Sequence, residues 1–412
     1  MLVHLRVHLA VLREGGRLSA LLWGFSGQMA VSATALAGSI FVARLLGPSG
    51  RGEFGILTLT GVTAAFVFSF GIPYGLARAQ LTGHANAIVT SAAIHAAAVV
   101  PVAGLLWLVI PSIFAVSPSL LAVVLFGIVP INVLVADIGG GLLSAKAMKA
   151  MHSARLLSVG TFSAGLGLLI LIEHPSVAGA LWLFAAGSLA ALLAQLVVAV
   201  PRWGVGAPLP ARELRTLSAR NYGGMLAEGL LARADQFIVA AVSGSAAVGV
   251  YGVAVNVSEV GQYLGNAIGA SVVEDRSSLP DRDVIRIAVI SAVAVAGLMV
   301  PVLLASWLLV GPVFGENFAS ARIVAILLAP GIVARAITVS VFLPLMARGE
   351  GRTCSIISGA VLIVGIAAWY AGAELGGING AAFANSCVYL LQAALFLAVP
   401  FLAVRRESSQ SV

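Results

Sequence analysis

Apolar runs long enough to cross a lipid bilayer recur twelve times along this chain, and no other feature limits its fold as strongly. About 20 apolar residues in helical form span the roughly 30 Å of bilayer hydrocarbon. The runs are 19–45, 52–79, 87–110, 119–143, 154–172 and 178–200, then 219–243, 248–273, 284–309, 319–346, 353–371 and 379–402. Composition agrees. The chain is 60% hydrophobic and 9% charged, whereas a soluble domain carries about 25% charged residues. Too few polar side chains exist to cover a water-facing surface, so the natural solvent is lipid. Because hydrocarbon offers the backbone no hydrogen bonds, such runs must satisfy their own as helices. The sequence therefore predicts an all-α integral membrane protein.

The basic residues predict its orientation. Arg6, Arg13, Arg17, Arg78, Lys146, Lys149, Arg155, Arg202, Arg212, Arg215, Arg220, Arg276, Arg282, Arg286, Arg348, Arg352, Arg405 and Arg406 fall in loops, or at helix ends, of one parity, while Arg51 and nearby Arg44 mark the other. Positive charge collects on the cytoplasmic side, so both termini are expected there and the helix count must be even. This clustering accounts for the net charge of +7 without nucleic acid as a partner. The segment before residue 19 lacks a small-residue cleavage site and reads as leading into a retained helix.

Loops 46–51, 111–118, 173–177, 244–247, 310–318 and 372–378 are too short to hold a soluble catalytic domain on the outer side. The longest inner connection, 201–218, carries Pro201, Pro208 and Pro210 and bisects the chain. The expected organisation is a cytoplasmic segment 1–18, a six-helix lobe 19–200, a linker 201–218, a second six-helix lobe 219–402 and a tail 403–412. The lobes look related. A shift of 197 sets Gly47, Gly52, Phe54 and Gly55 over Gly244, Gly249, Tyr251 and Gly252, and a shift of 200 sets Pro130 over Pro330. Both halves start on the same side, so the duplication is parallel, about an axis along the membrane normal. Such duplicated folds place substrate between their halves.

The run from Phe41 to Gly55, Phe-Val-Ala-Arg-Leu-Leu-Gly-Pro-Ser-Gly-Arg-Gly-Glu-Phe-Gly, resembles the first hairpin of the polysaccharide-biosynthesis flippases. Arg233-Ala234-Asp235-Gln236-Phe237, followed by Gly249 to Ala254, is similar to their seventh and eighth helices. These are the Wzx-type proteins of the multidrug/oligosaccharidyl-lipid/polysaccharide exporter superfamily. The resemblance implies about twelve transmembrane helices in two pseudo-symmetric six-helix lobes around a central cavity that opens alternately to each side. It implies outward movement of undecaprenyl-pyrophosphate-linked glycans across a bacterial inner membrane, with glycan polymerase or glycosyltransferases as partners. The chain lacks the extra helix pair of the lipid II flippases, which argues against lipid II as cargo.

Charges within spans are costly, about 2.5–3.5 kcal/mol each on insertion scales, and normally face a cavity or a partner. Here they are Asp137, Glu228, Arg233, Asp235, Glu259, Arg335 and, near an end, Arg322. Glu228 and Asp235 share a helix face and Arg233 points away from both. Asn256, Glu259, Tyr263 and Asn266 recur at intervals of three and four, with Gln262 at the edge, in a helix otherwise built of small and apolar residues. That stripe predicts water or substrate along one side. The matching positions of the first half, Leu59, Val62, Phe66 and Ser69, are mostly apolar. Arg233, Asp235, Asn256, Glu259, Gln262, Tyr263, Asn266 and Arg335 are therefore the candidate substrate-binding residues, and Glu228 and Asp137 candidates for coupling or packing. Asp235 and Arg233 equally suit lobe packing, and Arg335 and Asp137, in related helices, would neutralise each other if they met. His95 reads as hydrogen-bonded packing, and Arg44 and Arg51 as anchors at the outer face. Cys354 and Cys387 lie in apolar runs without metal-ligand spacing, and no cofactor is implied.

Three classes of function compete. A flippase for a lipid-linked oligosaccharide or polysaccharide precursor needs cationic groups for pyrophosphate, which Arg233 and Arg335 would supply, and amides for sugar hydroxyls. A cation-coupled multidrug exporter would use Glu228, Asp235 or Glu259 to exchange an ion for an organic cation. A membrane-embedded glycan ligase or polymerase is disfavoured by the short outer loops. No phosphate loop, metal cluster or nucleophile with a partnered base accompanies them.

Overall fold

The computed structural model describes residues 17–113, 116–144, 147–171, 176–273 and 280–410. Of the basic residues that set the expected orientation, Arg6, Arg13, Lys146 and Arg276 lie outside the described residues. So do the side chains of Arg17, Lys149, Arg215, Arg220, Arg405 and Arg406, residues 114–115 and 173–175 of two outer loops, and nearly all of the segment before residue 18.

The described residues fold into helices without a strand. Among the described residues, nine stretches are long and apolar enough to cross a membrane. Three of these are too long to cross once: Met29–Phe68, Tyr222–Asn266 and Gly351–Pro400 have 40, 45 and 50 residues. At 1.5 Å per residue even the shortest would be about 60 Å, twice the hydrocarbon thickness. Each is broken midway by glycine in a non-helical conformation, at Gly47, at Gly244 and at Gly376–Gly377. Nine stretches, three of them double, make twelve spans, in agreement with the sequence.

We number the spans α1 (17–46), α2 (48–68), α3 (Ile88–Ile113), α4 (118–144), α5 (Met148–Leu171) and α6 (Val177–Trp203) in the first lobe. The second holds α7 (211–243), α8 (245–273), α9 (Asp281–Phe314), α10 (Ala321–Ala347), α11 (351–375) and α12 (378–410). Between α6 and α7 the chain is non-helical only over 204–210, shorter than the expected 201–218. Leu105, Leu108, Leu171, Val197, Val293, Val300, Leu308 and Ile363 are all exposed. In water that apolar perimeter would aggregate, whereas in lipid it is the correct outer face.

Two breaks depart from the expected spans. Run 52–79 is not one helix: α2 stops at Phe68, Phe70 and Gly71 take positive φ of 45° and 73°, and a separate short helix, Ile72–Leu81, follows. Gly71 takes this conformation without strain because it has no Cβ, and Pro73 in the next helix's first turn fits because its missing N–H would have no partner. The second break lies inside α7 at Ala232 and Arg233, between helical segments Ala211–Leu231 and 234–243. In α4 the turn over Val123–Ile128 is widened just ahead of Pro130, whose ring displaces the regular hydrogen bond.

The duplication is visible as geometry. Gly47 (φ 64°, ψ −175°) and Gly244 (φ 82°, ψ 179°) adopt nearly the same conformation. A Cβ on Gly52 would strike the carbonyl of Ser245, and one on Gly249 would strike that of Pro48. The shift that relates the halves carries Gly52 onto Gly249 and Pro48 onto Ser245, so the two contacts are one reciprocal approach of α2 and α8. Around this crossing a single apolar cluster joins the lobes, from Ile56, Leu57 and Leu125 to Val250, Tyr251, Phe314 and Leu328.

Candidate functional site

Between the lobes lies a cavity of about 260 Å³, walled by α1, α2, α5 and α6 on one side and by α7 and α8 on the other. Its polar wall is Ser39, Arg51, Thr58, Arg233, Gln236 and Asn256. Among the described residues no carboxylate lines it. The lining is also aromatic: Phe54 stacks on Phe162 with centroids 5.7 Å apart, and Phe184 meets Phe162 edge-on at 5.9 Å.

Arg51 is the cation this geometry adds to the expected set. It is buried at 7% exposure, not an anchor at the outer face as the sequence suggested. Its Nε donates to the Gly249 carbonyl at 3.0 Å, and Nη1 donates to the Ser39 carbonyl and hydroxyl at 2.7 and 2.9 Å. The guanidinium also lies 5.8 and 5.9 Å from the Phe314 and Phe318 rings. A signal for it was present in the sequence. Arg51, Phe54, Gly55, Thr58, Leu59 and Val62 all line the cavity, and their spacing of three and four marks one face of α2. Near the same crossing, Arg44 donates to the Val313 carbonyl at 2.8 Å and to that of Pro312.

Of the candidate residues, Arg233 and Asn256 reach the cavity wall. Arg233 stands at the break in α7, where the turn releases it from the flanking helical faces, and its charge acts on Glu259. The stripe on α8 turns toward α1 across the lobe boundary: Asn256 donates to the Ser39 hydroxyl at 2.7 Å, and Tyr263 pairs with Ser32. Tyr263 also donates to Glu259 at 3.3 Å. Gln262 is half-buried and Asn266 is exposed.

The remaining charges are enclosed within lobes. Asp235 accepts from the Tyr251 hydroxyl at 2.7 Å, the Asn385 amide at 2.6 Å and the Gln236 backbone N–H at 2.8 Å, tying α7 to α8 and α12. Glu228 accepts from Ser358 of α11 at 2.5 Å and from the Gln392 amide of α12. Arg335 donates to the Tyr389 hydroxyl at 2.6 Å and lies 5.1 Å from that ring's centre, and Tyr389 donates in turn to the Leu231 carbonyl at 3.0 Å. That carbonyl is the last before the α7 break, so the buried polar network holds the break open. Asp137 does not meet Arg335. Its partner is His95, 2.7 Å away in the first lobe, where both are buried. Sequence periodicity could not find this pair, because nothing local links α3 to α4 at those positions.

No protein-family model matches the sequence, and no curated protein does either. Solved structures do match in shape. An inward-facing multidrug resistance MATE family transporter of the MOP superfamily superposes with a TM-score of 0.70 at 14% identity, over 93% of this chain and 96% of its own. The lipid II flippase MurJ, in an inward closed conformation, gives 0.69 at 12% identity, over 91% and 87%. A mutant of the Vibrio cholerae MATE transporter VcmN gives 0.66 at 14%, over 94% and 96%. The chain has the MATE and MurJ fold. That fold is two six-helix lobes about a central cavity, and the proteins that share it here are transporters rather than enzymes.

Proposed function

We propose that this protein is a flippase, moving a lipid-linked oligosaccharide or polysaccharide precursor outward across the inner membrane by alternating access. The observation that carries this reading is the inter-lobe cavity with two arginines and, among the described residues, no carboxylate on its wall. Guanidinium groups offer paired N–H donors to phosphate oxygens, and among the described residues no carboxylate shares the cavity wall with them. Ser39, Gln236 and Asn256 suit sugar hydroxyls, and the phenylalanine wall suits the apolar faces of sugar rings. A lipid flippase shares the fold, and the prenyl chain would stay in the surrounding lipid. Both termini would be cytoplasmic, with the Gly47 and Gly244 turns facing outward. Glycosyltransferases supplying the cargo, and a polymerase consuming it, would be the functional partners.

A cation-coupled multidrug exporter is the second reading, favoured by the MATE neighbours and by Glu259, to which Tyr263 donates at a long 3.3 Å. Glu228 and Asp235 suit it less well, since each is occupied by several donors within its lobe. The test is surface glycan and drug sensitivity in parallel, for variants matched in abundance. Removing a charged hydrogen-bonding group costs about 1.5–3 kcal/mol, so Arg233→Ala and Arg51→Ala should each lower glycan export about 10- to 100-fold and leave drug sensitivity unchanged. Arg51→Lys, which keeps charge but not the planar fork, should recover only part of it. Normal glycan export in both alanine variants, with loss of drug resistance in Glu259→Gln, would replace this reading with the exporter.

A further inference from the structure

The end of α2 presents three carbonyls that have no helical partner, because the helix stops at Phe68. Each is satisfied from a different direction. The Phe66 carbonyl accepts from the backbone and hydroxyl of Ser69 at 3.2 and 2.7 Å. The Val67 carbonyl accepts from the Tyr222 hydroxyl of α7, across the lobe boundary. The Phe68 carbonyl faces His95 Nε2 at 2.9 Å. The other ring nitrogen, Nδ1, lies 2.7 Å from Asp137 Oδ2.

Hydrogen counting then constrains the pair. A carbonyl oxygen can only accept, so Nε2 must carry a hydrogen. Facing an ionised Asp137, Nδ1 must carry one too, which makes the ring an imidazolium. If Nδ1 is bare, the hydrogen must instead sit on Asp137 Oδ2. Either arrangement holds one proton more than a neutral ring beside an ionised carboxylate. We propose that His95–Asp137 is a proton-binding site in the first lobe, and that its proton holds the end of α2 in place against α7.

Losing that proton leaves two acceptors facing each other and a net negative charge among buried groups, which costs far more than any hydrogen bond returns. Moving the remaining hydrogen to Nδ1 restores the contact with Asp137 but leaves a bare Nε2 against the Phe68 carbonyl. One of the two bonds must break. The neighbouring carbonyl is the one Tyr222 takes from the other lobe, and three residues further Gly71 lies so close to the Ser218 carbonyl that a Cβ would collide with it. Release of the proton therefore acts within one residue of an inter-lobe contact.

Among the described side chains, titratable groups on the surrounding elements are Arg44, Arg51 and Glu53 of α1 and α2, Tyr74 and Arg78 of the short helix with His84 just after it, His152 and Arg155 of α5, Arg202 of α6, and Arg212, Glu213, Tyr222, Glu228, Arg233 and Asp235 of α7. Among the described residues the hydrogen-bond partners of the pair are each other and, for His95, the Phe68 carbonyl. Asp137 Oδ1 accepts no hydrogen bond from the described residues, so no second donor stabilises an ionised carboxylate. The site does not depend on what is transported.

Spin labels at Leu81 and Glu213, both exposed, report the spacing of the short helix from α7. They are placed in full-length protein in nanodiscs, with Cys354 and Cys387 replaced. Electron–electron distances should be single and narrow at low pH, and broaden or lengthen as pH rises from about 5 to about 9, across the range where histidine pairs titrate. In His95→Gln the distribution should no longer respond to pH. A pH-independent distribution in the unsubstituted chain, or a response that survives His95→Gln, overturns the proposal. Should that variant fail to fold, 15N–1H spectra of histidine in the otherwise native protein decide it. At low pH the His95 ring should show a hydrogen on Nε2 and another shared with Asp137, and a bare Nδ1 beside an ionised Asp137 would overturn the assignment.

Discussion

Arg233 and Asp235 stand two residues apart on either side of the last step of the α7 break, and their surroundings differ completely. Arg233 is on a cavity wall, whereas Asp235 is buried with three donors converging on its carboxylate. An amide at position 235 would turn an NH2 group toward at least one of those donors, and an unsatisfied buried polar contact costs about 1–3 kcal/mol. Asp235→Asn should therefore lower the Tm of purified protein in detergent, and so should Tyr251→Phe by a smaller amount. Arg233→Ala should leave Tm close to unchanged while reducing export. Equal loss of stability in Arg233→Ala and Asp235→Asn would remove the distinction between a site residue and a packing residue. Sequence alone grouped these two together because a charge in a span looks the same whether it faces a cavity or a hydrogen-bonded network. The difference depends on α8 and α12, which reach Asp235 from 16 and 150 positions away.

At the scale of elements, the hairpins α1–α2 and α7–α8 carry the architecture. Their reciprocal glycine contact needs backbones closer than any side chain allows: Gly52 against the Ser245 carbonyl, Gly249 against that of Pro48. A backbone carbonyl held in a helix cannot turn aside as a side chain would. Gly52→Ala and Gly249→Ala should each separate α2 from α8 on the Gly47 side and stop export, with the protein still made and inserted. Cysteine placed at Thr58 in those backgrounds should become reactive toward an impermeant thiol reagent, and protection equal to that of the unsubstituted pair would show that the crossing tolerates a methyl group. The two hairpins differ in one important place. Arg51 corresponds to Val248 in the repeat, so the first lobe places a cation on the cavity where the second places an apolar side chain. Twelve spans, the duplication and the glycine turns were legible because each leaves a local mark, a long apolar run or a glycine at a matched position. The stop of α2 at Phe68 left a mark as well, Gly71 followed by Pro73, but the apolar run continues through it and masked the break.

For the whole molecule, the proposed direction of transport fixes both a topology and an electrical sign. Cysteines at Ser117 and Asn317 should react in intact cells with an impermeant thiol reagent, and one at Arg212 should not; the reverse pattern would invert the assignment of sides. The electrical consequence is stronger. A pyrophosphate-linked lipid carries negative charge outward from a negative cytoplasm, and each net charge moved gains about 2.3 kcal/mol per 100 mV, roughly a 50-fold change in the ratio across the membrane. The gain need not fall on the loaded step. If Arg51 and Arg233 neutralise the headgroup, the loaded cavity crosses nearly without charge, and the field acts when the empty, cationic cavity turns back toward the cytoplasm. In liposomes holding a potassium gradient and a fluorescent pyrophosphate-linked lipid, an inside-negative potential should speed outward flipping at constant pH, and collapsing it should slow flipping. Arg233→Ala should shift part of that dependence from the return of the empty cavity to the loaded step, because the headgroup charge it no longer neutralises then crosses with the cargo. An exporter of organic cations works against the same field, so the opposite response to potential, with an amphipathic cation as the moving species, would rule the flippase out.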